Sequence, residues 1–325
     1  MPYNETLRLV VNSIEDVIRC STLSSLLEVS GWPKPGNVHR TYDFEDTRFE
    51  HFLAAIAAIQ PTFMRLAERI QEKSKTQQHN YSFVQLGYLF KVAVEEMIKW
   101  QKGGNVILGH ILILAPLIAT TVICLNAKIR KISKFREILK KVINDSTVED
   151  TIDLYEAIRL CNPGGLGKIA KYDLTNEDAL HEIQHDNVTL QQIFQFSQSY
   201  DLISREYSTG FQIILNEGLP YYLTVFNQTN DINIATVETF LYILAHHEDT
   251  LIIRKSGKKI AQMISKTAAK ILEQGGIRTK KGKKVLREFD EKLHSRQHHE
   301  KLNPGTTADL TAGIIFCALI FGVKF

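Results

Sequence analysis

The sequence predicts an all-α fold: one compact multi-helix domain over residues 1–325, with polar motifs at helix termini converging on a central site. Three observations carry this prediction. Apolar residues recur at helical spacing through most of the chain. β-branched runs such as 250–254 are too short to build a sheet. No internal repeat, low-complexity tract or Pro/Gly/Ser-rich linker divides the chain. At 325 residues, with 44% hydrophobic and 23% charged, the protein can bury a core without disulfide or metal staples.

Leu7, Val11, Ile14, Val17 and Ile18 mark a first helix, and Phe49, Phe52, Leu53, Ile56 and Ile59 a second. Between them the prolines and glycines of GWPKPGNVHRTYDFED disfavour regular structure, which predicts a rigid polar loop. The same periodicity predicts further helices at about 61–75, 83–100, 105–125, 134–144, 147–160, 189–201, 205–216, 235–246, 257–274, 280–297 and 306–322. The segment 106–125 is almost wholly apolar and, at roughly 20 residues, could span a bilayer. His110 and Pro116 interrupt it, and the rest of the chain is amphipathic apart from 310–323, so both segments are expected as central core helices.

Composition narrows the function. The formal charge is +3, from 39 basic and 36 acidic residues, so neither nucleic acid nor membrane is expected as a partner. The basic run RTKKGKKVLR at 278–287 is followed by Glu288, Asp290 and Glu291 and is expected to be a solvated helix start. Cys20, Cys124, Cys161 and Cys317 are widely spaced, as suits a reducing cytoplasm. The N-terminus has acids within its apolar pattern and does not resemble a signal peptide. No G-x-x-x-x-G-K-[ST] loop, H-E-x-x-H pair or G-x-S-x-G elbow occurs, which disfavours P-loop phosphoryl transfer, zinc hydrolysis and serine chemistry.

Polar, glycine-bearing stretches recur at predicted helix ends: KPGNVHR (34–40), GGNVILGH (103–110), NPGGLGKIAKYD (162–173), DLISRE (201–206), HHEDTLIIRKSG (246–257) and NPGTTADLTAG (303–313). Any one of them could be an ordinary cap or turn. Together they hold more Asn, Asp, His and Lys within apolar flanks than folding requires, and a shared ligand would pair those groups. The cations Lys34, His39, Arg40, Lys168, Arg254 and Lys255 beside glycine-bearing loops suit a polyphosphate. The acids Asp43, Asp46, Asp173, Asp201, Glu206, Asp249 and Asp309 offer ligands for a magnesium ion and a base, with surface salt bridging as the competing use.

These blocks, in this order, resemble the triphosphoribosyl-dephospho-CoA synthase family. EVSGWPKPGNVHR carries the family's Pro-Lys-Pro-Gly core, and LNPGTTADLTAG its closing block. GGNVILGHILILAPL is similar to its Gly-Thr-Asn-Thr-x-x-Gly segment before Leu-x-Pro-Leu, with Gly104 in place of threonine and Val106 and Ile107 in place of polar neighbours of Asn105. DLISRE and HEDTLIIRKSG resemble the Asp-x-x-x-Arg-Glu and His-x-Asp-Thr-x-x-x-Arg segments. The resemblance implies a transferase that moves the 5-triphosphoribosyl group of ATP onto the 2'-hydroxyl of 3'-dephospho-CoA, with release of adenine and inversion at C1'. It assigns Lys34, Gly36, Asn37, His39, Asn105, Lys168, Arg205, Arg254, Lys255 and Asn303 to the nucleotide and its triphosphate. Asp201, Glu206 and Asp309 become the catalytic acids, and Asp173 and Asp249 the ligands of an expected Mg2+. The expected partners are ATP and dephospho-CoA or another alcohol, such as a tetrahydromethanopterin-type ribitol precursor, with a homodimer as an assembly to test. A catalytically silent nucleotide-binding protein is the alternative from a different class.

Overall fold

Fifteen α-helices account for nearly all regular structure in the computed structural model, which describes residues 6–77, 80–162, 171–295 and 302–325. Only two isolated β-bridges occur among these residues. The N-terminal half holds α1 (Ile14–Ser30), α2 (Phe49–Lys73), α3 (Leu86–Trp100), α4 (Leu108–Asn126), α5 (Ile132–Asn144), α6 (Val148–Cys161) and α7 (Ala179–His185). The C-terminal half adds α8 (Leu190–Ser197), α9 (Leu202–Thr209), α10 (Leu219–Thr229), α11 (Ile232–His246), α12 (Thr250–Ser256), α13 (Lys258–Glu273), α14 (Lys280–His294) and α15 (Gly305–Ile320).

As the apolar pattern predicts, α4 and α15 form the centre. Among the described residues α4 is the one helix long and apolar enough to cross a membrane, and 89% of its apolar window is buried inside the protein. α1, α2, α3, α5 and α15 pack around it, while α15 also meets α10 and α11. A second apolar cluster, around Phe240, Ile264 and Leu286, ties α11, α13 and α14 together.

Four elements differ from the sequence expectations. The first helix begins at Ile14, because the preceding residues are bound in extended form: Leu9 N donates to Arg130 O at 2.8 Å and Val10 N to Ile320 O at 3.0 Å. Ser13 then caps the helix by accepting from Asp16 N. α2 runs unbroken through Pro61, whose missing N–H costs one helical bond but whose flanks bury Ile56, Ile59, Phe63 and Leu66. The segment expected at 205–216 breaks at Gly210 (φ +73°) and continues as a π-helical turn, Ile213–Gly218. The β-branched run at 250 forms α12, capped by Asp249. Helices α7 and α10 were not among the expected elements.

Candidate active site

The ends of several helices open onto one cavity of about 1140 Å³. α1 contributes Glu28 from its last turn and the following loop contributes Lys34 and Asn37. The start of α4 brings Asn105 and His110, the start of α9 Asp201 and Ser204, α12 Arg254 and Lys255, and the start of α15 Asn303, Thr306 and Asp309. Polar motifs scattered over 280 or so positions of sequence therefore meet because each lies at a helix terminus, where backbone and side-chain polar groups are left over from helix pairing.

Lys34 is 1% exposed and paired with the equally buried Glu28, to whose carbonyl Nζ also donates at 2.7 Å. Burial pulls the Lys34 ammonium down, and Glu28 opposes that pull. Burial pushes the Glu28 carboxyl up, but Lys34 and His110 outweigh it and hold it below its ordinary value. Two buried opposite charges in contact are the arrangement in which the loss of hydration is offset. His110 extends the network: its Nδ1 lies 3.2 Å from Ser25 Oγ, and its Nε2 is 3.4 Å from Glu28 Oε2 and 3.7 Å from Asp309 Oδ1.

Asp309 is the acid that faces the cavity with fewest commitments. Its side chain is 19% exposed, and among the described residues its one ion-pair partner is His110. Burial, with the charges of Glu28, Asp249 and Asp201 adding to it, lifts its carboxyl well above the ordinary range, against the pull of Lys34. Gly109 makes this position available, since a Cβ there would stand 1.9 Å from Asp309 Oδ2. Asp201 caps α9, where Oδ2 accepts from Ser204 N and Oγ, both at 2.7 Å, while among the described residues Oδ1 has only the Thr250 hydroxyl at 3.4 Å. Asn37 is 4% exposed and pairs through Nδ2 with Asn303 Oδ1, while its own buried Oδ1 has no partner among the described residues. A buried acceptor of this kind is satisfied by a donor on a ligand.

The family model described as CitG, ATP:dephospho-CoA triphosphoribosyl transferase, matches residues 14–324. The chain belongs to this family. It is 31% identical over 107 residues to the 2-(5''-triphosphoribosyl)-3'-dephosphocoenzyme-A synthase of Klebsiella pneumoniae, an alignment spanning 33% of this chain and 34% of that relative, about a third of its length. Its fold is similar to a crystal structure described as a candidate triphosphoribosyl-dephospho-CoA synthase from Archaeoglobus fulgidus, with a TM-score of 0.59 and 28% identity, covering 84% of this chain and 100% of the other.

The transferase-family motifs divide on inspection. Lys34, Asn37, Asn105, Asp173, Asp201, Arg254, Lys255, Asn303 and Asp309 line the cavity, whereas Gly36, His39, Arg205, Glu206 and Asp249 do not. Lys168 lies outside the described residues. Arg205 is exposed on α9 and is not among the residues that line the cavity. Glu206, expected as a catalytic acid, is fully buried and accepts from Ile213 N at 2.8 Å and Ile214 N at 2.9 Å, so it replaces the helical bonds lost at Gly210. Burial pushes its carboxyl up to about 8. Asp249, expected as a metal ligand, is likewise committed: Oδ2 accepts from Thr307 N at 2.7 Å and Oγ1 at 2.8 Å, and Oδ1 from Ile252 N at 3.1 Å.

His39 and Gly36 act on the loop instead of on the cavity. Asp290 of α14 accepts from Gly36 N at 3.0 Å and lies 2.9 Å from His39 Nε2 and 3.0 Å from His294 Nδ1, which fixes the loop that carries Lys34. Gly36 has φ +76°, and a Cβ would meet Leu302 O at 2.4 Å. Sequence reasoning placed Asp290 in a solvated charge run and passed over Glu28 and His110 as site residues. A glutamate among the apolar positions of α1, inside the EVSGWPKPG block, was the available signal for Glu28.

The expected magnesium finds no preformed cage. Asp249 has its oxygens filled, Asp173 Oδ1 accepts from Thr175 N and Oγ1, and no group of three His, Cys, Asp or Glu side chains among the described residues is spaced to hold a metal.

Proposed function

We propose that this protein transfers the 5-triphosphoribosyl group of ATP to an alcohol, with dephospho-CoA, the acceptor in the family's description, as the first candidate. The observation that carries this reading is the pair of dissimilar carboxyls in one cavity. Burial and neighbouring acids raise the Asp309 carboxyl well above its ordinary range, which suits it to carry a proton, while Asp201 keeps Oδ1 nearly uncommitted. Displacement at C1' needs one group to protonate the leaving base and another to take the acceptor proton. In the proposed step the C1'–N9 bond breaks as the C1'–O bond forms. Asp309 gives its proton to adenine, which departs neutral, and Asp201 accepts the hydroxyl proton. The Asp201 carboxylate, and that of Asp309 as its proton leaves, favour the positive charge that develops on the ribosyl ring.

Arg254 and Lys255, exposed in the last turn of α12, are the cations proposed to meet the triphosphate. The unpartnered Asn37 Oδ1 would accept from a sugar hydroxyl or a base amine. Given the donor set described above, magnesium is proposed to arrive on the triphosphate of the substrate, not to reside in a protein site. The test is chromatography of a reaction containing the protein, magnesium-ATP and dephospho-CoA. Free adenine in proportion to modified acceptor is the expected result. ADP or AMP would mark a kinase or ATPase, and no turnover a silent nucleotide-binding protein. Adenine released only with another alcohol would keep the donor chemistry and replace the acceptor.

A further inference from the structure

One part of the cavity wall takes no part in the chemistry above. The acids and cations assigned above come from α1 and the loop after it, α9, α12 and α15, whereas the wall built by α6 and α8 is mainly apolar, with Leu154, Tyr155, Ile158, Ile193 and Phe194 facing the same space and Ser197 and Asp173 at its edge. α9 joins the two parts: it packs against α8 as well as against α4 and α15, and it sets Asp201 and Ser204 between them.

Two observations mark this lobe as a binding surface and not a packing gap. A pocket for one drug-sized ligand has a volume of roughly 300–1,000 Å³, and the cavity exceeds that range at about 1140 Å³, as two substrates bound side by side would require. The lobe is also rimmed by large apolar side chains left in solvent. Leu160 at the end of α6 is 48% exposed and Tyr200, just ahead of α9, is 53% exposed, and both line the cavity. The tyrosine hydroxyls have protein partners, Tyr155 OH donating to Tyr172 O at 2.7 Å and Tyr200 OH to Ser197 Oγ at 3.1 Å, so the rings are held in place.

We propose that the α6–α8 lobe is the acceptor subsite, and that it holds the apolar part of the alcohol substrate, with a flat group of that substrate against Tyr200. This rests on the transfer reading above. An apolar approach to C1' also keeps water, the competing nucleophile, at low occupancy beside the reacting carbon. A small polar alcohol would bury little apolar surface in this lobe.

The test uses the full chain with Leu160→Ala/Tyr200→Ala, both at exposed positions, and Tyr200→Phe as the variant that keeps the ring. Calorimetric titrations of dephospho-CoA and, separately, of ATP are compared with the KM of each substrate in the adenine assay. Loss of a stacking ring and its neighbour is expected to weaken dephospho-CoA on the order of ten-fold, with ATP affinity unchanged and Tyr200→Phe close to wild type. Unchanged dephospho-CoA affinity in the double variant, equal weakening of ATP, or glycerol serving as well as dephospho-CoA would each overturn the subsite. If the wild type binds dephospho-CoA through this lobe yet never releases adenine, the subsite stands and the transfer reading falls. Adenine release with an unaltered acceptor KM in the variants has the opposite meaning.

Discussion

Asp249 and Asp309 lie on either side of the α12–α15 junction, two aspartates in two adjoining polar motifs, and the structure gives them opposite work. Burial raises both carboxyls. Asp249 is surrounded by donors, the backbone and hydroxyl of Thr307 and the first turn of α12, so it ties two helices together and has nothing left for a substrate. Asp309, two positions beyond Thr307 in α15, has turned to the cavity, where His110 at 3.7 Å is too distant for a hydrogen bond. The difference lies in how fully each acid's lone pairs are met. A satisfied buried carboxylate is architecture, and an unsatisfied one at a cavity wall is a candidate proton carrier.

Exchanging each acid for its amide is the sharpest way to break this comparison. Asp309→Asn is expected to lower adenine release by about 10²–10⁴-fold, the ordinary worth of a positioned acid, while the thermal midpoint holds because the amide keeps the shape of the carboxyl it replaces. Asp249→Asn is expected to do the reverse, keeping activity per folded molecule and losing about 2 kcal/mol of stability as amide hydrogens replace an acceptor. If Asp249→Asn abolishes turnover at full stability, the division drawn here is wrong.

Lys34 extends the comparison to a cation. It was expected to bind triphosphate, but its buried pairing with Glu28 predicts that Lys34→Ala destabilises the fold by about 3–5 kcal/mol, by stranding a buried carboxylate. Denaturant unfolding of Lys34→Ala beside Lys34→Met/Glu28→Leu separates the roles: the double variant should regain stability, and any remaining defect in ATP affinity then belongs to the lost ammonium.

Glu206 sharpens the architectural side through pH. Its folded-state pKa of about 8 stands above the ordinary 4.5, so the native protein holds a proton that the unfolded chain releases. Its contribution to stability is whole below about pH 4.5 and is lost as pH rises through 8. Melting curves between pH 5 and 9 should show this decline, and Glu206→Gln should flatten it without altering the response of activity to dephospho-CoA. The smallest effect is expected at the cavity mouth, where Arg254→Ala should weaken ATP on the order of ten-fold and Arg205→Ala, outside the cavity, should leave ATP binding as it is.

The sequence by itself determined the fold class and the centre of the protein. The near-continuous apolarity of 106–125 and 310–323 leaves burial as the favourable state of those helices inside a chain otherwise amphipathic, and period and capping residues mark most of the others. It also determined which motifs meet at the cavity, because glycine, asparagine and acids clustered at predicted helix ends stand out against their apolar flanks. Tertiary structure decided which member of each motif faces the cavity. Asp201 and Glu206 are five positions apart on one short helix, and only the direction of each side chain sends one to the cavity and the other to the backbone of the π-helical turn. Glu28, His110 and Asp290 looked like a helix residue, an interruption and a surface charge until distant segments supplied their partners. A hydrogen bond or ion pair between residues 80 or 250 positions apart has no local periodicity, so the use of a buried polar group is settled only when the chain has closed around it.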